Sequence, residues 1–317
     1  PIKSSAASDV YKRQMYKSEE QWEQNGIDYK EWHNVPEKDI AYYDYADYTE
    51  ERYPLSPEAS PTEGTPRGRV TEYNWESSQV YPGVKGKYWL YVPEQYKGQD
   101  VCLMVFLDGE WYIQDKVPEV LDSMIAKEEI PVMIGLFISP GDKGPGLPRY
   151  GGTDNRSMEY DSIDGRYAEF LEKEIISKIK KDYKISDDAW KHGICGISSS
   201  GNAAFAAAWN RNDLFTRVLT HVGSFTNIRG GHNFPSMVRK GKRRNLRVFL
   251  QTGEHDLNTC FGDWKIANMD MESALKYREY PVHLVIGPGG HSGRYGMSIL
   301  PESLRWLWKK EDKSGKE

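Results

Sequence analysis

Cysteine is scarce in this chain: three residues in 317, Cys102, Cys195 and Cys260, lying far apart. That number and spacing exclude a disulfide framework and a thiolate metal site. Cys102 and Cys195 sit inside apolar, strand-like runs and read as buried free thiols. Long hydrophobic runs are missing as well. No stretch approaches the ~20 residues that a membrane-spanning helix needs. A basic excess is also missing, with 42 Lys and Arg against 47 Asp and Glu and a net charge of −5. Nothing therefore points to nucleic acid or to an anionic membrane surface as a partner. No internal repeat is apparent. What is present is the mixture of a soluble globular protein, 38% hydrophobic and 28% charged. The length allows one large domain or two small ones. Aromatic residues are plentiful, with 10 Trp and 21 Tyr.

The first 14 residues precede the first Met, show no periodicity and read as a leader that is either non-native or disordered. Residues 15–65 are acidic and tyrosine-rich and end in a Pro/Ser/Glu/Thr-rich stretch. They read as an extension that packs on a main domain spanning residues 66–312, with a partly disordered arm as the alternative and 313–317 as a tail. Within the main domain, Val70–Trp75 and Val84–Val92 read as strands joined at Tyr81-Pro82-Gly83. Val101–Leu107 is a continuous apolar run, as a central parallel strand requires. Further strands are expected at Pro131–Ile138, Gly193–Cys195, Val218–Val222, Arg247–Gln251 and His283–Ile286. Helices are expected at Val117–Ile125, Arg166–Tyr183, Ile266–Tyr277 and Leu300–Trp308. Gly141–Asp161 reads as one long functional loop. Alternating strands and helices mean a mostly parallel sheet covered by helices on both faces.

The segment Gly193-Ile194-Cys195-Gly196-Ile197-Ser198-Ser199-Ser200-Gly201 passes from an apolar run through a tight turn into an Ala-rich helix. A serine on such a turn is held on a strained backbone with its hydroxyl clear of the sheet. Ser198 is the candidate nucleophile, because Gly196 lies two residues before it. Two residues after it stands Ser200, where a glycine is usual, so this turn is expected to be crowded. In an open parallel sheet, ligands bind beyond the carboxyl ends of the strands. Asp108-Gly109-Glu110-Trp111 follows one strand, Glu254-His255-Asp256 another, and Gly289-Gly290-His291-Ser292 the last. Ser198, Asp256 and His291 thus occur in the chain order of an α/β-hydrolase. A serine hydroxyl needs a base, and His291 can take its proton near neutral pH. An acid such as Asp256 fixes the histidine tautomer. Backbone amides of Ser199 and Glu110 are placed to hold the oxyanion. His221, His232 and His255 are rival bases, and Glu254 is a rival acid. Asp108 reads as a brace that bonds backbone amides. Arg156 to Tyr160 reads either as a loop-bracing ion pair or as a strip in contact with substrate.

These residues resemble a known group. From Gly68 to Trp308 the chain is similar to the esterase family that includes enterochelin esterases, feruloyl esterase domains and the mycolyltransferases. The resemblance rests on Tyr88–Pro93, Val105–Gly109, Asn155–Asp161, Gly196–Gly201, Gly223–Gly231 and Gly289–Ser292. It implies an α/β-hydrolase fold and a serine carboxylic-ester hydrolase of the enterochelin esterase type, with no metal or other cofactor. It also implies Ser198 as nucleophile, Asp256 as acid and His291 as base, with Glu110 and Ser199 at the oxyanion hole. The expected partner is a small-molecule ester. Trp111, Tyr112, Arg156, Glu159 and Tyr160 are expected to contact it. An acyltransferase with the same triad and a non-catalytic binding module on the same scaffold are the alternatives. A start at Met15 would make the protein cytoplasmic, and a truncated N-terminus would leave secretion open. The oligomeric state is not legible.

Overall fold

The computed structural model describes Thr49 and residues 51–77, 79–142, 155–259 and 261–309. Its centre is an eight-stranded sheet. The strands are β1 (Arg69–Glu76), β2 (Lys85–Val92), β3 (Cys102–Leu107), β4 (Met133–Ile138), β5 (His192–Ile197), β6 (Arg217–His221), β7 (Arg247–Gly253) and β10 (Val282–Gly287). A two-stranded ribbon of β8 (Asn258–Thr259) and β9 (Gly262–Asp263) lies apart from it. The spatial order is β1-β2-β4-β3-β5-β6-β7-β10. β1 and β2 are antiparallel to their neighbours. All other pairings are parallel. Every residue of β3, β4, β5, β6 and β7 is buried. Covered faces explain why β3 and β4 read as continuous apolar runs. β1 is an edge strand and mostly exposed.

The helices are α1 (Gly109–Gln114), α2 (Val117–Ala126), α3 (Asn155–Tyr160), α4 (Arg166–Phe170), α5 (Ser199–Asn210), α6 (Phe234–Lys240), α7 (Trp264–Tyr277), α8 (Gly293–Ser298) and α9 (Leu300–Trp308). Two apolar layers flank the sheet. In one, Phe205, Trp209 and Phe170 from α5 and α4 meet Leu103, Ile194 and Val218. In the other, Tyr112, Leu121 and Leu304 from α1, α2 and α9 meet Phe106, Phe137 and Leu219. Among the described residues, no helix is long and apolar enough to cross a membrane.

The expected strands and long helices form, with ends shifted by a few residues. Two expectations change. The segment 141–161 is not one loop, since Asn155–Tyr160 is helical; residues 143–154 lie outside the described residues. The helix expected at Arg166–Tyr183 runs only to Ile179 and carries a π-helical stretch at Leu171–Ile176. The short helices α1, α6 and α8 had no sequence signature, being six or seven residues long.

Candidate active site

β5 ends at Ile197, and Ser198 occupies the turn into α5 with φ 59° and ψ −119°. A positive φ in a residue other than glycine is strained, and here it is held from outside. The Ser198 amide donates to His221 O at 2.9 Å, and the Ser224 amide donates to Ser198 O at 3.0 Å. Both anchors come from β6 and the turn after it. Gly196 is obligatory, because a Cβ there would lie 2.2 Å from the Ser200 carbonyl oxygen. Gly201 lets α5 descend onto Gly223, whose Cα would be 3.0 Å from an added Cβ.

The turns after β7 and β10 bring Asp256 and His291 to this serine. His291 Nε2 lies 2.8 Å from Ser198 Oγ. His291 Nδ1 lies 2.6 Å from Asp256 Oδ1. Asp256 is buried and its carboxylate is saturated. Oδ1 also accepts from the Leu257 amide at 2.8 Å, and Oδ2 from the Thr252 hydroxyl at 2.6 Å. Burial alone would raise its pKa, but the His291 charge and these donors outweigh it and hold the carboxyl below the usual carboxylate range. The Trp264 indole stands edge-on to the His291 ring with centroids 5.8 Å apart. Its Nε1 donates to Ser224 Oγ at 3.0 Å, and Ser224 Oγ lies 3.2 Å from Ser198 Oγ.

The other wall is built from the turn after β3. Asp108 has φ 57°, a left-handed conformation that Asp tolerates. Its carboxylate takes two bonds from Arg156, Nε to Oδ1 at 3.1 Å and Nη2 to Oδ2 at 2.7 Å. Oδ2 also accepts from Ser200 Oγ at 2.8 Å. Arg156 lies between the rings of Trp111 and Tyr160, 5.9 and 5.4 Å from their centroids. Ser199 and Glu110 fall in the first turns of α5 and α1, where amide N–H groups precede the helix's own ladder.

The structure brings Ser198, Asp256, His291, Ser199, Arg156 and Trp111 into one region and separates others from it. Tyr112 is fully buried, with its hydroxyl 3.0 Å from Cys195 Sγ and 3.3 Å from His221 Nδ1. Tyr160 is fully buried, and its hydroxyl accepts from the Asp108 amide at 3.3 Å. Glu159 is buried and accepts from the Gly141 amide and from Asn155. A side chain without accessible surface has nothing to offer a substrate, so the expected substrate contacts of Tyr112, Glu159 and Tyr160 are corrected to bracing roles. Arg156 forms the ion pair rather than an open strip. Asp108 does brace the loop, but it does so through Arg156 and Ser200 rather than through backbone amides. Ser200 is fully buried in this turn, and its hydroxyl bonds Asp108 and accepts from the Ile197 amide at 2.7 Å. Of the rivals, His221 is buried, His232 and His255 are exposed, and Glu254 pairs with Lys265. Sequence reasoning missed Thr252, Ser224 and Trp264. Thr252 and Ser224 follow the strand-end rule, while Trp264 carries no local signal.

A mostly parallel eight-stranded sheet, with a strained serine on the turn after β5 and an acid and a histidine after β7 and β10, defines the α/β-hydrolase class. The family described as "Putative esterase" matches residues 81–307, more than two thirds of the sequence. The chain belongs to this esterase family. It is 25% identical over 263 residues to the iron(III) enterobactin esterase of Dickeya dadantii (strain 3937), covering 77% of this chain and 56% of that protein. The enterobactin esterase of Shigella flexneri, solved in the presence of enterobactin, superposes with a TM-score of 0.66 at 20% identity. That match covers 81% of this chain and 63% of the other. A ferulic acid esterase superposes with a TM-score of 0.60 at 19% identity, over 77% of this chain and 98% of the other. The chain therefore spans little more than half the length of the curated relative it matches.

Proposed function

We propose that the protein is a serine carboxylic-ester hydrolase of the enterochelin esterase type, working through an acyl-enzyme. The observation that carries this reading is the unbroken line of hydrogen bonds from Ser198 Oγ through His291 to Asp256. In the proposed reaction Ser198 Oγ attacks the ester carbonyl while its proton passes to His291 Nε2. Asp256 stabilises the imidazolium formed and keeps Nδ1 protonated. The negative oxygen of the tetrahedral adduct is held by the backbone amides of Ser199 and Glu110. Collapse of the adduct expels the alcohol, which takes the proton from His291. Water then attacks the acyl-serine with His291 as base, releasing the acid and restoring the Ser198 hydroxyl. Trp111, half-buried at the start of α1, supplies an aromatic rim for an aromatic acid.

A fluorophosphonate probe should label Ser198 in the parent chain and not in Ser198→Ala. Ser198→Ala, His291→Ala and Asp256→Asn should each lower kcat by on the order of 10³–10⁶, with unchanged thermal unfolding. Pairing Ser198→Ala with His291→Ala should add little to the worse single change, since the two act as a unit. A panel of aryl, feruloyl, acetyl-sugar and catecholate-siderophore esters ranks the substrate classes. Near-parental turnover by Ser198→Ala would overturn the assignment.

A further inference from the structure

The hydroxyl of Ser224 is not part of the line just described, yet it touches the same oxygen. It lies 3.2 Å from Ser198 Oγ. Proton accounting fixes which of the two donates. Asp256 accepts from the Leu257 amide and the Thr252 hydroxyl, so it is the acceptor towards His291 Nδ1 as well, and in the form of the ring that acts as base Nε2 is the acceptor. The single hydrogen of Ser198 is thereby committed to Nε2. An indole nitrogen only donates, so Trp264 Nε1 gives its hydrogen to Ser224 Oγ. The hydrogen between the two serines can then come only from Ser224. Trp264 is fully buried and Ser224 nearly so, at 2% exposure, so bulk water is kept from both.

We infer that Ser224 is a further catalytic residue, a buried donor aimed at the nucleophilic oxygen and itself held by Trp264. This inference rests on the reading of Ser198 as nucleophile. The Ser224 hydroxyl fixes the Ser198 side chain in the rotamer that faces His291. It also stabilises the charge that grows on Oγ as the proton leaves. At 3.2 Å the bond is long for O–H···O in the resting enzyme, which leaves it room to tighten when Oγ becomes a stronger acceptor. A donor that strengthens between ground state and transition state accelerates the step rather than only binding substrate.

Pre-steady-state hydrolysis of 4-nitrophenyl acetate by the full chain separates acylation, seen as the burst, from turnover. Ser224→Ala should slow the burst roughly tenfold and leave KM within about twofold, as loss of one buried donor implies. Ser224→Thr, which keeps the hydroxyl, should return to within about threefold of the parent. Trp264→Phe keeps an aromatic side chain and removes the N–H, and should slow the burst about threefold. The double change should cost no more than Ser224→Ala alone, because the tryptophan acts through the serine. A burst rate in folded Ser224→Ala within twofold of the parent overturns the inference, and so does simple additivity in the double variant. Should Ser224→Ala not fold, Trp264→Phe decides, with an unchanged burst overturning the inference. If the parent gives neither a burst nor fluorophosphonate labelling at Ser198, it is the underlying reading that fails.

Discussion

At the scale of single residues, Ser200 shows how a departure from a motif acquires meaning only in three dimensions. Its small size and its place two residues after the nucleophile suggest a tolerated stand-in for glycine, and on that view Ser200→Gly would relax the turn. The structure reverses that expectation. Ser200 Oγ bonds Asp108 Oδ2 at 2.8 Å and so ties the turn after β5 to the turn after β3. Asp108 is 3% exposed, so removing one of its donors leaves a buried carboxylate short of a partner. Ser200→Gly should destabilise the fold by roughly 1–3 kcal/mol, the cost of leaving a buried charged group under-satisfied. For a domain of this size that lowers Tm by several degrees. Differential scanning calorimetry tests the point, and a glycine variant melting at or above the parent would refute it. Ser200→Thr, which keeps the hydroxyl, should retain more of the stability than glycine does. Ser198, Asp256 and His291 were legible as candidates because each follows a strand and their chain order is diagnostic. Asp108 and Arg156 were legible as braces, but that they and Ser200 are partners was not, because the contacts span 92 and 48 positions in sequence. No local spacing encodes such a contact.

At the scale of elements, the strands announced themselves and the short helices did not. A buried parallel strand needs an apolar centre: β3 is apolar throughout, and β6 and β7 keep Val218-Leu219 and Val248-Phe249-Leu250 between polar ends. A six-residue helix such as α1 or α8 shows less than two turns of periodicity, so its pattern cannot be told from a loop. These helices nevertheless shape the interior behind the site. α1 presents Tyr112 and α8 presents Gly296 to His221 at the end of β6. A Cβ at Gly296 would lie 2.5 Å from the imidazole Cδ2, so the helix rests directly on the ring. His221 is fully buried there, and burial alone pulls its pKa from the ordinary 6.5 down to about 3. The folded chain therefore keeps this ring neutral, whereas the unfolded chain protonates it near pH 6.5. As pH falls from about 6.5 towards 3, the unfolded state gains a proton that the native state refuses. Stability drops across that window by up to roughly 1.4 kcal/mol per pH unit from this ring. Urea unfolding at pH 7, 6, 5 and 4 should show a steeper acid-side loss in the parent than in His221→Gln, whose side chain does not titrate. Parallel curves for the two proteins would mean that His221 is solvated or protonated in the native state.

At the scale of the whole molecule, the aromatic-rich segment ahead of the sheet is where composition said most and periodicity least. Its residues 15–48 lie outside the described part of the chain. Residues 51–68, by contrast, run across the helical layer of α2, α8 and α9. Tyr53 is 7% exposed and packs edge-on to Tyr295, with ring centroids 5.4 Å apart. Its carbonyl accepts from Arg294 Nε at 3.4 Å, and Arg294 also pairs with Asp115. Glu58 O accepts from Ser123 Oγ at 2.8 Å, and the Glu58 carboxylate meets Arg305 at 2.8 Å. Ala59 is buried, and the Gly68 amide donates to Asp122 at 2.8 Å. The strap thus reaches α8, which begins two residues after His291. Burying Tyr53 is worth on the order of 1–3 kcal/mol, and the hydrogen bonds add to it. Deleting residues 1–65 should accordingly lower Tm by several degrees. Because the lost contacts touch Arg294 and Tyr295 rather than Ser198 or Asp256, KM should shift more than kcat. Deleting only residues 1–48 leaves every one of these contacts in place and should cost far less stability than the longer deletion. Equal melting curves for the parent and the 1–65 deletion would show that the strap contributes nothing to the fold. A kcat that falls while KM holds would mean that it acts on the catalytic groups rather than on the mouth of the site.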